Sequence, residues 1–389
     1  AEDVVSDLDS PPYDKSLRDG YAVAAADFLD GPREVVIVEE VVAGNVPSAA
    51  VQPGQATRIM TGAPIPQGAD AVVMFEDSES VEDSGSGGDS RGLGRARIAG
   101  PVEPGQWIMR RGQAMRQGDV VLQPGTLIRP VDVGLLSEVG RASVQAIRQP
   151  SAAVLPTGDE IEPPDQTPGP GRIRNSNGPM LEAAVRRAGA NAVSLGVGPD
   201  DLDAMRPMIA AGLQEDVLIL CGGVSAGTRD LVPQALAEQG VRQVFHKIQM
   251  KPGKPLWFGV HESPDASEQR QENGVGRGTL VFGLPGNPVS GLVCFELFVR
   301  PALRRLAGDP NPGPDYVAAE LTAEHRQRGD REAYQPAFLV ATENGLQVAP
   351  VSWQGSPDLR GVARANALIR FPAGDRLHAP GQTVQVLRL

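Results

Sequence analysis

Residues 216–230 read Asp-Val-Leu-Ile-Leu-Cys-Gly-Gly-Val-Ser-Ala-Gly-Thr-Arg-Asp, and few folds can use such a stretch. Val217 to Leu220 form a short continuous apolar run, which suits a strand covered on both faces of a parallel sheet. Gly222, Gly223 and Gly227 follow, supplying backbone that takes positive φ and lets a ligand approach without a Cβ in the way. Residues 231–239 then show a helical pattern with Pro233 in the first turn, where proline is tolerated. Strand, glycine loop and helix together aim backbone N–H groups at an anion. A tight structural turn satisfies the same pattern, and Asp230 could serve simply as a helix cap.

At 389 residues the chain calls for two to four domains of ordinary size, roughly. Hydrophobic residues make up 41%, enough for real cores, and 46 glycines with 35 prolines imply many turns and more than one β-rich part. A net charge of −12 argues against a nucleic-acid or membrane-surface binder. Two cysteines, Cys221 and Cys294, give no disulfide framework and fit a reducing, cytoplasmic setting. The four histidines show no zinc-ligand spacing. No secretory segment and no membrane-spanning apolar run is seen. The opening Ala1-Glu-Asp-Val lacks a methionine, which points to a missing N-terminal piece.

The first third reads as β-rich: strands at 35–42 and 57–60, Pro-Gly turns at 53–54, 104–105 and 124–125, and a Ser/Gly/Asp-rich loop at 78–95. From Ser151 the rhythm becomes α/β. Strands at 152–155, 191–196, 217–220, 241–249 and 279–284 alternate with helices at 177–187, from 202 to 213, at 231–239 and from Val289, with a polar insertion at 262–278. Alternating βα units imply a doubly wound, mostly parallel sheet. After Pro310 short strands return, as a small C-terminal β domain.

Ligands of open α/β sheets bind beyond the carboxyl ends of the strands. That rim should carry Asp159, Glu160, Asp200, Asp201, the 222–230 loop, Lys247, Lys251, Lys254 and the turn Pro285-Gly-Asn-Pro288. Carboxylates, lysines and a glycine loop on one edge suit a phosphorylated ligand with a hard cation such as Mg²⁺. Singly, each residue is more simply a solvated loop charge; as a set they point to a site. Cys221 reads as a small apolar residue at a strand end, and Tyr13 and Phe75 as packing residues.

Six ordered motifs carry a resemblance. They are residues 11–22 (PPYDKSLRDGYA), 58–64 (RIMTGAP), 156–160 (PTGDE), 222–227 (GGVSAG) with Asp230, 251–255 (KPGKP) and 283–289 (GLPGNPV). Together they resemble the molybdopterin molybdenumtransferase family, the molybdenum-insertion enzymes related to the gephyrin E domain, over nearly the whole chain except that family's N-terminal helical segment. The resemblance implies a four-domain subunit: 1–18 with 107–147 as a linking domain, 19–106 as a β-rich inserted domain, 148–308 as the α/β molybdopterin-binding domain and 309–389 as the C-terminal β domain. It implies a homodimer, possible contact with the molybdopterin adenylyltransferase, and a reaction of adenylylated molybdopterin with molybdate and a divalent cation that yields molybdenum cofactor and AMP. By the same resemblance, Asp19, Thr61, Glu160 and Asp230 are catalytic, with Glu160 and Asp230 at the Mg²⁺. Asp200, Gly222, Gly223, Ser225, Gly227, Lys247, Lys251, Pro285 and Pro288 bind substrate.

Four positions depart from the family's pattern. Gly-Glu-Asp is replaced by Gly112-Gln-Ala114, Ala-Met by Leu17-Arg18, Asp-Thr-Asn by Asn175-Ser-Asn177, and a serine by Gly361. The lost acids at 113 and 114 keep a second reading open, a catalytically weak paralogue that binds a pterin or a protein partner as a scaffold. An adenylyltransferase acting one step earlier is disfavoured, because that enzyme is usually the α/β domain alone.

Overall fold

The computed structural model describes residues 2–81, 93–223, 231–262 and 278–389. The chain forms two compact units, Ala1–Gln145 and Ala146–Leu389.

In the first unit a six-stranded sheet runs in the order Ala71–Met74, Gly20–Val23, Gln55–Ile59, Arg33–Val41, Arg95–Ile98, Ser78–Val81. Side-chain alternation splits it into two buried faces. Tyr21, Val23, Val35 and Ile37 pack with Phe28 on one side, while Ala22, Val41, Ile59 and Val72 pack on the other. Phe75 meets the Tyr21 ring edge-on at 5.2 Å, as a packing residue. Two short ribbons flank the sheet, Val4–Val5 with Val120–Leu122 and Lys15–Ser16 with Ile108–Met109, and a helix covers Pro130–Glu138. Of the expected 78–95 loop, 78–81 is a strand and 82–92 lies outside the described residues.

The second unit begins with a six-stranded sheet ordered Asn191–Ser194, Ser151–Pro156, Val217–Cys221, Gly278–Leu284, Trp257–Glu262, Val241–His246. The first four strands are parallel. Ala152, Val154, Val217, Ile219 and Cys221 face helices Asn177–Arg187 and Pro288–Cys294. Ala153, Leu155, Leu218 and Leu220 face helices Leu202–Gly212 and Val232–Glu238. The central strands are thus apolar at every position because both faces are covered.

The sheet is mostly parallel, as expected, while two elements differ in detail. The edge of the sheet is antiparallel: Trp257–Glu262 pairs antiparallel with both neighbours, and the expected 241–249 strand stops at His246. Lys247 takes φ 69°, a left-handed conformation that ends the strand. The Trp257–Glu262 strand went unread, because Gly259 interrupts its β-formers. The long apolar helix from Val289 is also not uniform; Phe295–Val299 forms a π-helical turn between two α-helical stretches.

The C-terminal sheet closes on itself. Glu332–Thr342 pairs with both Gly345–Pro350 and Ala367–Phe371, and Tyr316–Leu321 with Thr383–Arg388 completes a small barrel. Its edge accepts a strand from the α/β region, Met250–Lys251, which runs parallel to Glu332–Ala333.

Candidate active site

The strand order reverses beside Ser151–Pro156: the next strand of the same sheet, Asn191–Ser194, lies on one side of it and Val217–Cys221 on the other. This is the switch point at which open α/β sheets hold ligands. Backbone bonds lock the loops that leave it. Thr157 N–H donates to Cys221 O at 2.9 Å, Gly158 N–H to Gly198 O at 3.0 Å, and Gly222 N–H to Leu284 O at 3.2 Å. Between the loops lies a cavity of about 550 Å³, within the usual range for small-molecule sites. Its walls include Glu160, Asp200, Gly222, Gly223, Pro285 and Pro288, six of the residues the sequence put forward.

Two glycines are required by this geometry. Gly158 sits at φ +145°, a conformation that L side chains rarely adopt, with the Glu160 carboxylate lying 2.5 Å from where its Cβ would be. Gly222 sits at φ +107°, and a Cβ there would stand 2.5 Å from Thr157 O. The two rim aspartates at 200 and 201 have separate roles. Asp200 lines the cavity and its N–H donates to Asp159 Oδ1 at 3.0 Å, whereas Asp201 caps helix Leu202–Gly212 by accepting from Ala204 N–H at 2.9 Å. Cys221 lies in the cavity wall fully buried, and burial pushes its thiol up to about 12, so it is inert at neutral pH.

A second cavity, of about 400 Å³, opens beside the first. It is cationic: Lys251, Lys254 and Arg331 line it, with Ser290, Ser356 and Trp353. Two parts of the unit build it. The 251–255 segment and Ser290 come from the α/β region, and Arg331, Trp353 and Ser356 from the barrel. Arg331 Nη1 donates to Met250 O at 3.4 Å, and Val289 N–H donates to Ser356 O at 3.0 Å, so both parts are tied at the cavity. Pro255, Pro285 and Asn287 belong to both cavities.

Other expected residues fall elsewhere. Lys247 is exposed and lines neither cavity. Ser225, Gly227 and Asp230 lie outside the described residues. Asp19 and Thr61 belong to the first unit and meet directly: Asp19 Oδ1 accepts from Thr61 N–H at 2.6 Å and from Thr61 Oγ1 at 2.8 Å. Those two bonds hold the Asp19 carboxyl below its ordinary range. Gln113, at one of the departures, is exposed and accepts from Arg110 N–H at 2.9 Å, closing a turn.

Sequence reasoning passed over Arg331, Trp353, Ser356 and Asn177. Asn177 stands inside one of the quoted departures, next to a helix start, which was a usable signal. Arg331 and Ser356 carry none; only folding brings the barrel to the 251–255 turn.

Comparison with known proteins agrees along the whole chain. Residues 1–140 match the family model described as MoeA N-terminal region (domain I and II), 153–305 the "Probable molybdopterin binding domain", and 318–389 the MoeA C-terminal region (domain IV). The molybdopterin molybdenumtransferase of Staphylococcus aureus (strain Mu50) is 32% identical over all of this chain and 87% of its own length. That of Bacillus subtilis (strain 168) is 34% identical over all of this chain and 86% of its own. The crystal structure of a molybdopterin biosynthesis moeA protein from Pyrococcus horikoshii superposes with a TM-score of 0.75 at 31% identity, covering all of this chain and 90% of that one. The chain belongs to the molybdopterin molybdenumtransferase family.

Proposed function

We propose that this protein transfers molybdenum from molybdate to adenylylated molybdopterin, releasing molybdenum cofactor and AMP. The observation that carries the reading is the adjacency of two unlike cavities that share Pro255, Pro285 and Asn287. The larger, with carboxylates and a glycine rim, suits the pterin nucleotide. The smaller, with two lysines, an arginine and serine hydroxyls, suits a compact dianion such as molybdate. Holding both reactants against one shared wall turns a bimolecular encounter into a local one.

The donor set fits a magnesium ion. Glu160 and Asp200 present hard carboxylate oxygens to the cavity, and Mg²⁺ usually takes one or two carboxylates together with substrate phosphates. No group of three or more His, Cys, Asp or Glu that could hold a metal occurs among the described residues, so the phosphates would complete the shell. When bound, the cation neutralises the charge of the pyrophosphate link. We assign Asp230 to the same role from the sequence, and Lys247 to ligand oxygens. Asp19 and Thr61 we read as a catalytic pair, because their mutual bonds keep the carboxylate ionised and fixed. No helix among the described residues is long and apolar enough to cross a membrane. We place the protein in the cytoplasm as a homodimer that receives its substrate from the adenylyltransferase; sedimentation showing only a 40.9 kDa species would remove the dimer from this picture.

Incubation with adenylylated molybdopterin, molybdate and Mg²⁺ tests the reading. AMP should appear, and its release should depend on molybdate. AMP at the no-enzyme rate would refute it.

A further inference from the structure

Two residues that line the larger cavity each bury a hydrogen-bonding atom with no partner among the described residues, Thr157 Oγ1 and Asn177 Oδ1. Thr157 is 3% exposed and Asn177 9%. A buried polar atom left unpaired is costly, and folded proteins keep few of them. The amide orientation of Asn177 is set by its other atom, since Nδ2 donates to Gly286 O at 2.7 Å. Oδ1 is therefore left as an acceptor. The Thr157 hydroxyl lies under the glycine turn, 3.0 Å from where a Cβ on Gly222 would be and 3.2 Å from one on Gly223. A hydroxyl can donate or accept.

Resting on the assignment of this cavity to the pterin nucleotide, we infer that Thr157 and Asn177 are specificity-determining residues that read the hydrogen-bonding edge of a planar nitrogen heterocycle. Asn177 Oδ1 takes an N–H of the ring or its amino group, and the Thr157 hydroxyl pairs with the neighbouring ring atom. The cavity wall then discriminates by leaving both atoms unpaired when the wrong edge enters, the strongest kind of selection a buried polar pair can give. Both the aminopyrimidinone of the pterin and the adenine of the nucleotide present such an edge, so the assay must separate them.

Thr157→Val decides the matter, because it keeps the shape and removes only the hydroxyl. If the partner comes from the ligand, the substitution raises the melting temperature of the free protein by removing an unpaired buried group, and weakens ligand binding about three- to tenfold. Thr157→Ser should restore the affinity. Stability and affinity moving in opposite directions is a result that a merely structural hydroxyl cannot produce. Titrations with AMP alone and with a simple unphosphorylated pterin alone show which ring is read: only that probe should lose affinity in Thr157→Val. A lower melting temperature in Thr157→Val would mean the chain itself satisfies the hydroxyl, and would overturn the inference. So would unchanged affinity for both probes while the wild type binds them. If the wild type binds neither probe, the assignment of the cavity fails with it.

Discussion

Gly222→Ala measures how tightly the larger cavity depends on one missing methyl group. Two costs can be read from the geometry. Gly222 sits at φ +107°, where a side chain is strained by about 1–3 kcal/mol. The new Cβ would also lie 2.5 Å from Thr157 O, inside the 3.0 Å that real Cβ atoms keep, so a backbone carbonyl must retreat by about 0.5 Å. Gly158 N–H, in the same peptide group as that carbonyl, is bonded to Gly198 O at 3.0 Å, so the carbonyl cannot retreat freely. Overpacking of this kind costs about 1–3 kcal/mol, giving about 2–6 kcal/mol in all. For a unit of this size that is a fall in melting temperature of roughly 4–24 °C. Gly189→Ala is the control, since Gly189 has φ +82° and nothing within 4 Å of its Cβ position; it should lose only the backbone strain, about 1 kcal/mol. Urea unfolding and an AMP titration of both variants read the difference. Gly222→Ala should be the less stable by at least 1 kcal/mol, with AMP affinity reduced about tenfold or more. If the two variants unfold at the same urea concentration and bind AMP equally, the close approach of Gly222 to Thr157 does not shape the site.

Lys251→Ala and Arg331→Ala should each weaken molybdate binding about tenfold and flatten its salt dependence, because each removes a charged donor from the smaller cavity; calorimetry giving wild-type affinity and salt response would return both to solvated surface. Arg148→Ala should lower stability at pH 7 by about 1–2 kcal/mol, with the deficit shrinking in acid. Burial pushes the Asp216 carboxyl up, but paired bonds from Arg148 and one from Ser151 N–H outweigh it and leave it below its ordinary value. A lowered carboxyl contributes stability above about pH 4 and loses it as pH falls through the folded value; a deficit constant from pH 7 to pH 3 in thermal melts would contradict this. Gln113→Glu with Ala114→Asp should speed AMP release at similar nucleotide affinity, as losses confined to the transition state do. An unchanged rate would mark the Arg110–Gln113 turn as exposed surface alone and remove the main support for a catalytically weak paralogue.

The order of elements in the α/β region was legible because it rests on local chemistry. Val217–Cys221 is apolar at every position, Pro288 opens its helix at the first turn, and Gly189 stops the helix that begins at Asn177. Such signals act within a few residues, so they survive in one dimension. Strand-end position and motifs also pointed to Glu160, Asp200, Gly222, Gly223, Pro285 and Pro288, which line one cavity because strand-end loops of one sheet meet at its edge. Pairing direction was another matter. Nothing in Trp257–Glu262 says that it runs antiparallel, because a strand's own side chains read the same in either direction. The cationic cavity was equally hidden. Lys251 and Lys254 stood out beside their prolines, but Arg331 and Ser356 reach them only because Met250–Lys251 adds a parallel strand to a barrel formed far along the chain. The unpaired atoms of Thr157 and Asn177 belong to the same class. Whether a polar atom has a partner depends on everything packed around it, and that is decided only when the tertiary structure closes.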